Sequence, residues 1–403
     1  MIELGVEARR KRVPVETESP ARFLVLGDFG GRAEANAIPI DRDNFDGVLS
    51  RFEVKLAGSK IEELDDFHPD RLYQRLDVFR DLREGDAPEA PSRPGSLPQA
   101  DLERILRPSS LLDKIAGGGG DPFEEYVKEL ALSSGAEAAP ARNSQATAQA
   151  ATMRAVLGHP RFQTIEAAWR GLDFAVREAD DESARIYVAQ LSRKELIADL
   201  AEASDLKTTR LYGLLRSRAW SGVFGLYSFG ADAEDIELLG RIALLVSSAR
   251  TAFVAEGSVD MGPYWADLRS IPEAGSLGLA LPRFLLRLPY GPKTSGIEAF
   301  AFDEMPEAPV HAAYLWGNPA LACLALIARG GADLNFTGLP LHLYQKDGET
   351  ESTPCAEVLM TEDQVRALME TGMMPLVSYR DTDRVRLAGF RAIDGSALPC
   401  GLE

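Results

Sequence analysis

The stretch HPRFQTIEAAWRGLDFAV, His159–Val176, sets a histidine, a glutamate, a tryptophan and an arginine close together in the chain. A histidine and a carboxylate are the minimum for general acid–base work, provided a nucleophile or a metal converges on them. Helical geometry gives these residues another task. At about 100° per residue, Phe162, Ile165, Trp169, Leu172 and Val176 fall in one narrow arc, the stripe that a packed helix buries. Glu166 and Arg170 stand four apart at the edge of that stripe, acid first, the favourable order for an ion pair. His159 precedes the helix beside Pro160, where it can cap the helix or touch a neighbour.

A second candidate is LALPRFLLRLPYGPKT, Leu279–Thr294, where alternation around Phe284, Leu286 and Leu288 predicts a strand with Arg283 and Arg287 on one face. Two arginines so placed bind a phosphate or a carboxylate. In an acid-rich chain protein carboxylates are the expected partners, with Glu298, Asp303 and Glu304 close by in sequence. The acidic runs DRD and DDFHPD, the second containing His68, open two expected helices, at Asp41 or Asp43 and near Pro69, and read as helix-start acids rather than metal ligands. The glycines of RFLVLGDFGGR fit neither dinucleotide-binding nor phosphate-loop spacing, and GxSxG and HExxH are absent. Cys323, Cys355 and Cys400 lie far apart and read as buried thiols. The expectation is a protein with no catalytic residues, no cofactor and no metal.

A net charge of −18 over 403 residues opposes nonspecific binding to nucleic acid or anionic membrane. The one basic cluster, ARRKR at Ala8–Arg12, reads as a solvated or strand-edge stretch. No run reaches the roughly 18 apolar residues of a membrane helix, and the N-terminal residues lack the apolar core of a secretory signal, so a cytoplasmic location without membrane insertion is expected. Proline- and glycine-rich composition divides the chain into an N-terminal unit (1–84), a linker with short helices (85–150) and a main body (151–403).

In the N-terminal unit RFLVLGDFGGR is a buried strand ending in a turn, and IDRDNFDGVLSRF and DDFHPDRLYQRLDVFRDLR are helices. In the body ARIYVAQLS and SGVFGLYSFG read as strands and RKELIADLAEA as a helix. ADAEDIELLGRIALLVSSARTAFVAEG reads as one long helix, HAAYLWGNPALACLALIARGG as a buried helix, and GLPLHLY as a strand. The fold class is α/β, a layered body with a largely buried sheet.

HPRFQTIEAAWRGLDFAV, LALPRFLLRLPYG and HAAYLWGNPALA, in that order and with similar spacing, resemble the large subunit of the contractile sheath of bacterial type VI secretion systems. RFLVLGDFGGR, IDRDNFDGVLSRF and ELDDFHPDRLYQRL resemble the small subunit of the same sheath. The whole is similar to a natural fusion of a small subunit with a C-terminally truncated large one. The resemblance implies a sheath-protein-like body with a mixed sheet flanked by helices, plus a small N-terminal α/β unit. It implies assembly, not turnover: a structural component that joins other sheath subunits or itself around an inner-tube protein, with baseplate components as further partners. Neighbouring protomers of this family exchange strands. A AAA+ ATPase disassembles the family's contracted sheath through a helix near the large subunit's N-terminus. SSLLDKIAGGGG resembles the start of that helix, with Leu111, Leu112 and Ile115 as recognition residues. Its glycines, at about 1 kcal/mol each against alanine, cut it short. The family's large subunit continues past the point where this sequence ends, so the alternative expectation is a non-polymerising adaptor, cap or baseplate-proximal protein of the same machine.

Overall fold

Phe23 and Val25 leave their strand on one side and Leu24 and Leu26 on the other, and all four are buried. A strand buried on both faces needs layers above and below it. The computed structural model describes residues 20–32, 36–84, 123, 126–127, 142–201, 203–306, 308–331 and 333–400. The ARRKR cluster, the glycine run and the recognition residues Leu111, Leu112 and Ile115 lie outside that set.

Nine strands form the main sheet: β1 (Ala21–Gly27), β2 (Ile38–Ile40), β3 (Ala184–Gln190), β4 (Gly222–Phe229), β5 (Phe253–Gly257), β6 (Leu277–Leu281), β7 (Asn335–Phe336), β8 (Met373–Ser378) and β9 (Val385–Leu387). Their order is β7-β9-β8-β6-β5-β4-β1-β3-β2. The six strands from β8 to β3 are parallel; at the edges β2 pairs antiparallel with β3, β9 antiparallel with β8 and β7 antiparallel with β9, so the sheet is mixed. The segment expected as an N-terminal unit therefore contributes a central strand: β1 pairs along its whole length with β3, from Ala21↔Ala184 to Gly27↔Gln190, and with β4 from Phe23↔Gly222 to Leu26↔Gly225. It shares one sheet and one core with the body.

Helices cover both faces. One side carries α1 (Phe45–Arg51), α2 (Pro69–Arg75), α3 (Pro160–Glu178) and, at its centre, α5 (Pro319–Ala328), every residue of which is buried. The other carries α4 (Ala233–Ser248) with the Arg193–Ala201 and Arg210–Arg216 helices. The apolar arc of α3 is buried as its spacing predicts. Trp169, with no exposed surface, packs edge-on against Phe29 and Phe52 at 5.2 Å and Phe45 at 5.9 Å, and its indole N–H donates to the Phe29 carbonyl at 2.9 Å. The glycines after β1 serve this contact. Gly30 has φ +74°, and a Cβ there would lie 2.7 Å from Ile165; one on Gly31 would lie 2.5 Å from the Phe52 carbonyl.

Several elements end earlier than their apolar patterns imply. The long helix expected through Gly257 stops at Ser248; Arg250 takes φ +57°, and the β-rich FVAEG that follows becomes β5 between β4 and β6. Only Pro319–Ala328 of HAAYLWGNPALACLALIARGG is α-helical, because Asn318 caps it, accepting from the Ala320 N–H, and Trp316–Gly317 pair as a strand with Phe284–Leu285. The helix expected from Pro69 onward breaks at Leu76, whose ψ is 132°, yet Leu72, Leu76 and Phe79 all remain buried. Asp41 accepts from the Asp43 and Asn44 N–H groups, forming a turn ahead of α1 instead of capping it. GLPLHLY gives the strand His342–Lys346, which pairs with Glu349–Thr353 outside the main sheet.

Trp169→Ala should cost about 3–5 kcal/mol, because the indole joins α3 to both α1 and the turn after β1. Urea unfolding monitored by circular dichroism measures it, and a loss under about 1 kcal/mol would refute the anchoring role.

Candidate functional site

The four charged residues singled out by spacing lie on two neighbouring contacts, and one of them is a buried clamp. Glu166 has no exposed surface. Its Oε1 accepts from Arg170 Nε at 2.7 Å and from Arg287 Nε at 3.0 Å, and Oε2 accepts from Arg287 Nη2 at 3.4 Å. Arg287 also donates to both oxygens of Glu304, at 2.8 and 3.2 Å. Tyr290 closes the group: its ring lies 4.3 Å from the Arg287 guanidinium, its hydroxyl accepts from Arg170 at 3.0 Å, and its N–H donates to Glu304 at 2.8 Å. Two guanidinium groups thus meet two carboxylates with almost every polar atom used, the condition under which buried charges are tolerated.

The electrostatics follow from that geometry. Burial by itself would raise the Glu166 carboxyl, but Arg287 and Arg170 outweigh it and hold the group below its ordinary range. Burial would likewise lower Arg287, yet Glu166 and Glu304 keep it well above the usual value. Burial pushes the Tyr290 hydroxyl up to about 12 even though Arg287 pulls the other way. A carboxylate fixed in its charged form and saturated with donors is a poor proton-transfer group, so the clamp's chemistry is structural.

Both histidine–proline pairs are helix starts. His159 Nδ1 accepts from the Arg161 N–H at 3.2 Å, His68 Nδ1 from the Asp70 N–H at 3.3 Å, and each following proline occupies the first turn. The ring of His159 also packs against Phe123 and Tyr126 at 4.6 and 4.7 Å.

Arg283 points elsewhere. It makes a bidentate pair with Glu357 at 2.9 and 2.5 Å, and its Nε lies 4.0 Å from Glu256. The bonds to Glu357 raise the Arg283 pKa, while Arg283 overcomes burial and lowers that of Glu357. Arg283 and Glu256 border a cavity of about 410 Å³ whose lining also includes Asp28, Ser228, His311 and Asn318. It lies at the carboxyl ends of the parallel strands, where β1, β4 and β5 run out.

The model of the tail sheath N-terminal domain family (VipB; EvpB/VC_A0108) matches residues 147–262 and 260–394 of this chain, more than half of it. The chain belongs to the VipB tail sheath family. A VipB relative, the type VI secretion system sheath protein TssC1 of Pseudomonas aeruginosa, is 27% identical over 297 residues, covering 61% of this chain and 59% of that protein. The chain thus spans less than two thirds of the relative's length. Glu166, Arg170, Arg283, Arg287 and the cleft residues Ser228, Glu256 and Asn318 all fall inside the VipB match, whereas β1 and β2 precede it. Among the described residues no group of His, Cys, Asp or Glu side chains has metal-binding geometry, and no helix is long and apolar enough to cross a membrane.

Spacing along the chain names Glu166, Arg170, Arg283 and Arg287, and Glu304 as a neighbouring acid; it does not give the partition. Arg283 and Arg287 do not share a strand face, because the strand is interrupted at Pro282 and continues only as Phe284–Leu285, sending the two guanidiniums to different acids. Glu298 and Asp303 pair with neither in the structure. Glu357 and Glu256 come from distant segments, and no local signal marks them.

Arg287→Met strips Glu304 of its guanidinium and leaves Glu166 only Arg170. An unfolding titration at neutral pH should show a loss of about 3–5 kcal/mol; an unchanged midpoint would remove the clamp from the fold's essential contacts. Acidification tests the same group in the unaltered protein. Because Glu166 is more acidic folded than unfolded, its contribution is complete above the unfolded pKa of about 4.3 and is lost as pH falls through the lower folded value. The wild type should therefore lose stability more steeply below about pH 4.3 than a Glu166→Gln variant, as thermal melts across that range would show.

Proposed function

We propose that this chain is a structural subunit of a type VI secretion sheath, and that it carries in one polypeptide what the small and large sheath subunits contribute separately. The observation that carries this reading is the position of β1. The strand comes from residues outside the VipB match, yet lies between β3 and β4, which are inside it. In this reading residues 1–84 supply the small-subunit part and 151–403 the large-subunit body, joined by 85–150. The name of the TssC1 relative supports a sheath role, and the internal saturation of the Glu166 clamp supports a load-bearing body rather than a catalytic centre. Its partners are copies of itself or other sheath subunits, an inner-tube protein and baseplate components, with a AAA+ ATPase acting on the 109–120 segment, in the cytoplasm.

Negative-stain microscopy of the purified chain, alone and mixed with sheath and tube subunits from the same source, tests the proposal. Rings, tubes or incorporation into sheath are expected. A particle that stays monomeric and joins no assembly would overturn the reading. A stable small species that co-purifies with sheath subunits but never enters tubes would replace it with the adaptor.

A further inference from the structure

The clamp leaves the cleft at the carboxyl edge of the sheet unused, and the cleft's charges do not balance. Among the described residues both hydrogen bonds to the Glu256 carboxylate reach Oε2, from Ser228 Oγ at 2.7 Å and Asn318 Nδ2 at 3.3 Å. Among the described residues the nearest cation to Oε1 is Arg283, with Nε at 4.0 Å, and that guanidinium is already committed to Glu357 by two shorter bonds. Asp28, also in the lining, is paired with Arg161. One carboxylate is thus left over in a largely desolvated place, where burial raises its pKa. Such a group is stabilised by an incoming cation.

Place and shape agree with a ligand site. From β1 the chain passes to β3 on one side and then to β4 on the other, so connections diverge at the carboxyl end of β1. Open parallel sheets bind ligands in the crevice at such a point. The cleft has apolar walls from Ala167, Ala168, Leu226 and Leu321. Its mouth suits a protein rather than a free solute. His311 Nε2 lies 3.1 Å from Glu357, which pins two loops together, and the chain neighbours of these residues, Val310, Val358 and Leu359, are 55%, 53% and 38% exposed. Exposed apolar side chains in the two segments that the His311–Glu357 contact joins fit a protein contact.

We propose that this cleft is a socket for an arginine or lysine side chain of a partner protein. The cationic head bonds Glu256 Oε1, the aliphatic stem lies along Ala167, Ala168 and Leu321, and apolar residues flanking it on the partner cover Val310, Val358 and Leu359. The inference does not depend on the sheath reading, since a chain that formed no tube could still hold the socket.

The test is calorimetric titration of the full chain with a blocked Leu-Val-Arg-Val-Leu peptide, its citrulline counterpart, and agmatine. The arginine peptide should bind saturably and at least about tenfold, or about 1.4 kcal/mol, more tightly than the citrulline peptide. Glu256→Gln should abolish that preference while leaving the thermal midpoint in place, and Ala167→Phe, which fills the hollow, should abolish binding of the arginine peptide. Absence of saturable binding, equal affinity for the two peptides, or a preference that survives Glu256→Gln would overturn the proposal. Agmatine binding as tightly as the arginine peptide would also overturn it, by assigning the site to a free amine.

Discussion

The main-chain hydrogen bonding of β1 is the constraint on which the remaining structure rests. A strand in the middle of a parallel sheet has its N–H and C=O groups directed to both neighbours, and here those neighbours are β3 and β4. Without β1 those two strands would present buried, unpaired edges to each other, a cost of the kind that keeps nearly all interior backbone groups paired in proteins. The alternation of Phe23 and Val25 with Leu24 and Leu26 then assigns one core to each face, and the helices divide between them.

Helix α3 carries that constraint outward. Through Trp169 it holds the turn that ends β1; through Glu166, one turn earlier, it holds Arg287 and so the chain between Tyr290 and Glu304. The two contacts differ in kind. The indole stabilises by removing apolar surface from water. The Glu166–Arg287–Glu304 group gives little net stability over an apolar replacement, but it penalises any arrangement that separates its members, because a buried charge left alone is far more expensive than the pair. Helix α3 therefore both tightens the fold and fixes how the 287–304 segment lies on it.

What the sequence discloses follows from the range of each interaction. The stripe of α3, the Glu166–Arg170 spacing, the strands β1, β3 and β4 and the buried cysteines depend on residues near one another in the chain, and they are legible there. Periodicity misleads where an apolar run changes structure without changing polarity. TAFVA continues the hydrophobic pattern of α4 but forms β5, because an open place between β4 and β6 outweighs local helix preference. The bond of Arg283 to Glu357 joins residues 74 apart, and β1 pairs with a strand whose register runs from Phe23↔Gly222, so no spacing rule reaches either the role of Glu357 or the central placement of β1. His159 is an intermediate case: its place before Pro160 is visible, but histidine is not among the usual caps, so nothing in the spacing marks its bond to the Arg161 N–H.

The position of β1 also changes what covalent continuity means for this molecule. Its contacts to β3 and β4 are hydrogen bonds and packed side chains, the same contacts that a strand on a separate polypeptide would make. Because strand and sheet belong to one chain, they meet in a fixed one-to-one ratio however dilute the protein is.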